Sequence, residues 1–171
     1  MSRDIHKSRV YYAEKLVFAE TLFNEGMGAA VVELFEAIVT SPWWRSEVVV
    51  TPTLEPKRRE ANHSTAHGSN KVRLAVSQED AWTLIHELAH VAHSAVDRTY
   101  ADQGHGPEFR RWYVDLTVVV GGQEAADRLA KSFIENGLPL AERTCAAPVA
   151  PGPYGLYGLW RALRQTGAAA A

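Results

Sequence analysis

The sequence predicts an α+β domain built mostly of helices, on three observations. Apolar residues recur at helical spacing over most of the chain. One short stretch, Lys71 to Val76, alternates polar and apolar through Leu74, as a half-buried strand does. The 171 residues, 46% hydrophobic and 22% charged, suffice for one ordinary domain with its own core.

Taken in order, Val10, Ala13, Leu16, Val17 and Phe23 predict a helix over 8–23, which Gly26 and Gly28 end. Val31, Leu34, Phe35 and Ile38 predict a second over 29–39, closed by Ser41-Pro42. Val48-Val49-Val50 is β-branched, is bounded by Pro52 and reads as a strand. Residues 52–70 are polar, contain Pro52, Pro56, Gly68 and Asn70, and read as a loop carrying the solvated basic triplet Lys57-Arg58-Arg59. Lys71, Val72, Arg73, Leu74, Ala75 and Val76 then form an expected edge strand. Ser77 is the expected cap of a helix over 78–96, with Glu79 and Asp80 in its first turn. Beyond a polar loop, Pro107 suits the first position of a helix bearing Phe109, Trp112, Leu116 and Val119, which Gly121-Gly122 stop. Another helix spans 123–135. Prolines 148, 151 and 153 mark a linker, and Leu156, Leu159, Trp160 and Leu163 have the spacing of a short amphipathic helix. The expected division is a domain over 1–145, then a Pro-rich linker and helix over 146–171.

Composition narrows the function classes. A formal net charge of −2 gives no reason to expect nucleic acid or an anionic membrane as partner. Cys145 is the one cysteine, which excludes an internal disulfide and a four-cysteine zinc ribbon within these residues. Residues 1–6 lack the apolar run of a signal peptide, and no apolar stretch reaches the ~20 residues of a membrane span. A soluble, cytoplasmic protein is the expectation.

The chemistry is concentrated in His86-Glu87-Leu88-Ala89-His90. Histidines four apart on a helix share a face, with Cβ atoms about 5–6 Å apart, so both can reach one zinc ion. Glu87 lies off that axis, where a carboxylate can take a proton from zinc-held water and return it to a leaving group. Six of the seven histidines fall between His63 and His105. Catalytic zinc usually has three protein ligands. His105, between Gly104 and Gly106 at the entrance of a proline-started helix, is the leading third ligand, with Glu108 and Glu124 as alternatives. His93 is a turn further along the helix and reads as a polar neighbour. His63 and His67 read as loop histidines, and Trp82, Phe109 and Trp112 as core. Tyr100 and Tyr113 are candidate oxyanion donors, Asp102 a candidate partner for a ligand histidine, and Cys145 a remote candidate to cap the metal. The expected edge strand, Lys71 to Val76, is a candidate rail for an extended peptide.

Val72 to His93 (VRLAVSQEDAWTLIHELAHVAH), followed by Gly104-His105-Gly106-Pro107-Glu108-Phe109, resembles the catalytic core of SprT-like zinc metalloproteases. Their pattern is His-Glu-x-x-His, a loop, then His-Gly-x-x-Phe. Residues 3–12, Ser41-Pro42-Trp43-Trp44-Arg45 and residues 105–137 look closer still to a group of small, uncharacterised metallohydrolases of actinobacteria and their phages. The resemblance implies a small zincin-like fold: N-terminal helices, a short, mostly antiparallel sheet, a zinc helix and a following ligand helix. It implies His86, His90 and His105 as ligands of one Zn2+, Glu87 as general base, and a protein or peptide substrate. Many SprT-like proteins also carry a C-terminal zinc ribbon, which the single cysteine excludes here. The expected function is zinc-dependent peptide hydrolysis. The alternatives are hydrolysis of a non-peptide amide or ester, and a non-catalytic zinc-stabilised binding module. Oligomeric state is not specified by any of these residues.

Overall fold

A computed structural model describes residues 4–56, 63–68, 70–96 and 104–166. Among them lie seven α-helices and a three-stranded sheet, an α+β architecture. Helix α1 (Lys7–Phe18) buries Val10, Ala13, Val17 and Phe18 on one stripe. Glu14 occupies the same stripe and is 1% exposed. The helix stops short of residue 23: the Thr21 hydroxyl donates to the Phe18 carbonyl, and a 3-10 turn, Leu22–Asn24, follows. Helix α2 (Val31–Val39) has the expected apolar face.

Ser41-Pro42 opens a helix as well as following one. The Ser41 hydroxyl accepts the Trp44 amide at 3.3 Å, and Pro42 starts α3 (Pro42–Glu47). The expected strand at Val48–Val50 is not formed. Val48 closes α3, Val49 adopts φ +66°, and the Val50 carbonyl accepts the Trp44 indole at 2.7 Å. The segment wraps the buried tryptophan instead of pairing.

The stretch expected as loop supplies two strands, β1 (Thr53–Pro56) and β2 (Thr65–His67); β3 is Lys71–Leu74. The order is β1-β3-β2, with β1 parallel and β2 antiparallel to β3, so the sheet is mixed rather than mostly antiparallel. Lys71 to Val76 is therefore not an edge. Lys71, Val72 and Arg73 have register partners on both sides, and Val72 and Leu74 are buried. Glu55 on β1 binds Lys71 and Arg73, each at 2.8 Å, fixing the parallel pair. Ala75 gives its amide to the Ser64 hydroxyl at 3.0 Å, and Val76 begins a 3-10 turn, Val76–Gln78. With its backbone committed, this run has no edge to offer a substrate.

Helix α4 (Ala81–Val96) follows, and its cap is Asp80 rather than Ser77: the Asp80 carboxylate accepts the Thr83 amide at 2.7 Å. It packs against β2 and β3 and against α5 (Pro107–Gly121). Helix α6 (Gln123–Glu135) contacts both α5 and α1. The Pro-rich segment lies against α3, where the Trp43 indole donates to the Ala146 carbonyl at 3.1 Å. Helix α7 (Gly155–Gln165) rests on α5 and α2. No helix of the described residues is long and apolar enough to cross a membrane.

Two kinds of contact hold α7. Arg161–Glu25 and Arg164–Glu33 are surface ion pairs, which contribute little. Tyr157 is buried, its ring centroid 4.9 Å from that of Phe23 and its hydroxyl donating to the Leu22 carbonyl at 2.7 Å. Burying a large apolar side chain contributes about 1.5–3 kcal/mol, so Tyr157 is the dominant anchor. The close approach requires Gly155, at φ +58°, where an added Cβ would stand 2.5 Å from the Val120 carbonyl. Gly155→Ala is therefore expected to lower unfolding free energy by about 1–3 kcal/mol, measured by chemical denaturation. An unchanged midpoint would mean that α7 adds nothing to the core.

Candidate metal centre

Helix α4 presents His86, Glu87 and His90, all set by its periodicity, and the turn into α5 brings in His105. The ligand-capable atoms of the three histidines lie within 4.8 Å of one another. His86 and His105 are buried, with their Nε2 atoms 3.1 Å apart. Phe109 stacks on His90 at 4.2 Å and meets His105 edge-on at 4.8 Å. It is thus core, as expected, and also the floor beneath the imidazoles.

The other ring nitrogens explain this arrangement. His86 Nδ1 is 2.9 Å from Glu14 Oε1, and His105 Nδ1 is 2.5 Å from Asp4 Oδ2. An ionised carboxylate only accepts, so each Nδ1 carries a proton, and in the neutral imidazole each Nε2 keeps a lone pair. Two lone pairs facing at 3.1 Å repel unless a shared proton or a metal ion sits between them. Nitrogens each about 2.0–2.1 Å from one tetrahedral zinc are about 3.3 Å apart, so the donor set fits such an ion.

Electrostatics agree. Burial, with the neighbouring histidines, holds His90 well below its ordinary pKa. Burial and the His86 charge bring His105 down to about 4, against the opposing pull of Asp4. Burial also disfavours the charged form of His86, but Glu14 outweighs it and the net direction is upward. Two histidines are thus neutral, and the third is drawn toward a positive charge by a buried carboxylate.

Each support is built from several contacts. Glu14 also accepts the Trp82 indole at 3.2 Å, so this half-buried tryptophan serves the site as well as the core. Asp4 accepts the His105 amide at 3.2 Å, and its other oxygen accepts the amides of His6 and Lys7 at 3.0 and 3.1 Å, at the start of α1. Gly104 is at φ +57°, and a Cβ there would come 2.4 Å from Asp4 Oδ2. The buried Arg110 donates to the His105 carbonyl at 2.5 Å and to the Pro139 carbonyl at 2.6 and 2.9 Å, fixing the backbone of the turn.

Several expected residues are placed elsewhere. Glu108 and Glu124 are not in the cluster; Glu124 is exposed on α6. His93 is buried on α4 outside it. His63 and His67 are exposed, the latter on β2. Tyr113 is fully buried with its ring against His86 at 5.4 Å, so it backs a candidate ligand and is not placed to meet a substrate. Cys145 lies beside Asp115, its sulfur 3.7 Å from Oδ2, and burial together with that carboxylate pushes its thiol up to about 11. Tyr100, Asp102 and Lys57-Arg58-Arg59 lie outside the described residues. The partner role considered for Asp102 is filled by Asp4 and Glu14.

A cavity of about 510 Å³ opens on the cluster, lined by Lys7 and Tyr11 of α1 and by Ser64, Thr65, Ala66 and Gly68 in and around β2. Glu87, His90, Ser94 and His105 complete its lining. Tyr11 is 41% exposed and stacks on His86 at 5.3 Å. Neither Glu14 nor Tyr11 was among the candidates from sequence. Glu14 had a readable mark, an acid on the apolar stripe of Val10, Ala13 and Val17.

Against protein-family models, curated proteins and solved structures, the chain has no match.

Glu14→Gln keeps the shape but removes the charge that orients His86. It is expected to weaken zinc binding about 10–100-fold, measured by competition with a chromophoric chelator. His105→Ala should weaken it further. Equal affinity in native protein and Glu14→Gln would remove Glu14 from the site.

Proposed function

We propose that this protein is a zinc-dependent hydrolase of peptide bonds, with a zincin-like, SprT-like catalytic core. The observation that carries the reading is the convergence of three histidines, two of them tied back to carboxylates, on a cavity that Glu87 also lines. His86, His90 and His105 would hold the zinc through one nitrogen each. When bound, the ion supplies a Lewis acid for a carbonyl oxygen and makes water a stronger acid.

The remaining work falls to the protein's own groups. Glu87 takes a proton from the attacking water, holds it on a carboxylate oxygen and delivers it to the leaving amine. Glu14 and Asp4 hold the imidazoles in the tautomer that leaves Nε2 free to bind. Phe109 beneath the rings excludes water from that side.

A peptide substrate is favoured over a smaller amide or ester by the strand that contributes to the cavity lining. Strand β2 pairs with β3 on one side only among the described residues, and Thr65 and Ala66 line the cavity. An extended chain added to β2 would run past the histidines. This replaces Lys71–Val76 as the docking strand. A purely structural zinc site is disfavoured, because such sites are closed by four protein ligands and the cluster among the described residues has three.

Glu87→Gln is the direct test. Zinc content should stay at one per chain while hydrolysis of a peptide library falls about 10²–10⁴-fold. Full activity with zinc bound would eliminate Glu87 as the base. Zinc binding without cleavage of any peptide by the native protein would reject the peptidase reading.

A further inference from the structure

The cavity is asymmetric in charge, and that asymmetry bears on what it accepts. Asp4 and Glu14 bond to two of the histidines, and Glu87 lines the cavity floor. Of the lining residues, Lys7 is the only lysine or arginine. Among the described residues it forms no salt bridge, although Asp4 accepts its backbone amide. Its ammonium lies 5.7 Å over the ring of Tyr11, four residues on along α1. That cation–π contact, at helical neighbour spacing, keeps the side chain along the cavity wall. Lys7 lines the same cavity as Glu87, His90 and His105. The Lys7 side chain, resting on Tyr11, therefore belongs to the lining of that cavity.

We propose that Lys7, steadied on Tyr11, is a specificity residue that receives a carboxylate of the substrate beside the bond to be cleaved. This rests on the peptidase reading above and names the substrate class as acidic peptides. Elsewhere on the lining an acidic group meets Glu87 or uncharged residues. Apart from the zinc ion itself, only Lys7 among the lining residues offers it the opposite charge of an ammonium. A substrate lying along β2 would occupy the cavity that Lys7 also lines, where a side chain or a chain terminus could meet the ammonium. The two sources share one chemistry, a carboxylate, and the test separates them.

The experiment measures peptide binding by fluorescence anisotropy to zinc-loaded Glu87→Gln protein, with and without Lys7→Met or Lys7→Glu. Peptides are paired as Glu against Gln at positions flanking the central bond, and as free C-terminal acid against amide. Glu peptides should bind about fivefold more tightly than their Gln partners at low salt, with the preference shrinking as salt rises. Lys7→Met should abolish the preference, and Lys7→Glu should shift it to peptides with Lys at the same position. A preference seen only in the acid–amide pair assigns the carboxylate to the chain terminus. No preference in the Lys7 protein, including no binding at all, overturns the proposal. So does a preference that survives Lys7→Met. Cleavage by native zinc-loaded protein is scored separately. Preference without cleavage keeps the subsite and rejects the peptidase, while cleavage without preference does the reverse.

Discussion

Two buried or half-buried carboxylates own the Nδ1 protons of two histidines, and much of the molecule is arranged so that they can. Burying a carboxylate costs several kcal/mol unless donors replace its water. Glu14 meets that cost with the His86 ring and the Trp82 indole. Asp4 does so with the His105 ring and three backbone amides. Both acids belong to the N-terminal segment, whereas every histidine of the cluster lies on α4 or at the entrance of α5. Docking of α1 and assembly of the site are thus one event: without α1, the imidazoles lose the groups that select their tautomer.

The scaffold removes freedom from the other directions. Helical spacing fixes His86 against His90 whatever surrounds them. His105 enjoys no such regularity, since it sits on a turn. Its position is set by Arg110 on its carbonyl, Asp4 on its amide and ring, and Phe109 against its edge. Gly104 is there because any side chain would displace Asp4.

Legibility in the sequence follows the range of the interactions concerned. His86, Glu87 and His90 could be read because their relation lies within one helical turn. His105 could be read from flanking glycines and a following proline, a local pattern again. The strands β1 and β2 could not: they are three or four residues long, polar, and held by pairing with a segment further along the chain. The same non-local pairing turned Lys71–Leu74 from an expected edge into the sheet's centre. Glu14 was half-legible, as an acid on an apolar stripe. Asp4 carried no mark at all, because its partner is 101 positions away. Ser41-Pro42 shows local ambiguity, since the same pair that ends one helix is a good start for the next.

The groups packed round the imidazoles close some of their faces, and a cavity adjoins others. Phe109 and Tyr113 are fully buried and close the face of the imidazoles turned toward α5. Tyr11, partly exposed and stacked on His86, covers a second face incompletely. The cavity beside the imidazoles is lined by Glu87, itself only 6% exposed, and by Thr65 and Ala66 of β2, a strand paired on one side only among the described residues. A structural metal site gains nothing from an exposed approach beside a carboxylate, because water there only weakens its bonds. A hydrolytic one requires it, since substrate, water and base must meet at the same atoms. On the reading proposed above, the ties that hold the histidines and the cavity that Glu87 lines are two parts of one design: rigidity where the ligands are held, access where a bond would be broken.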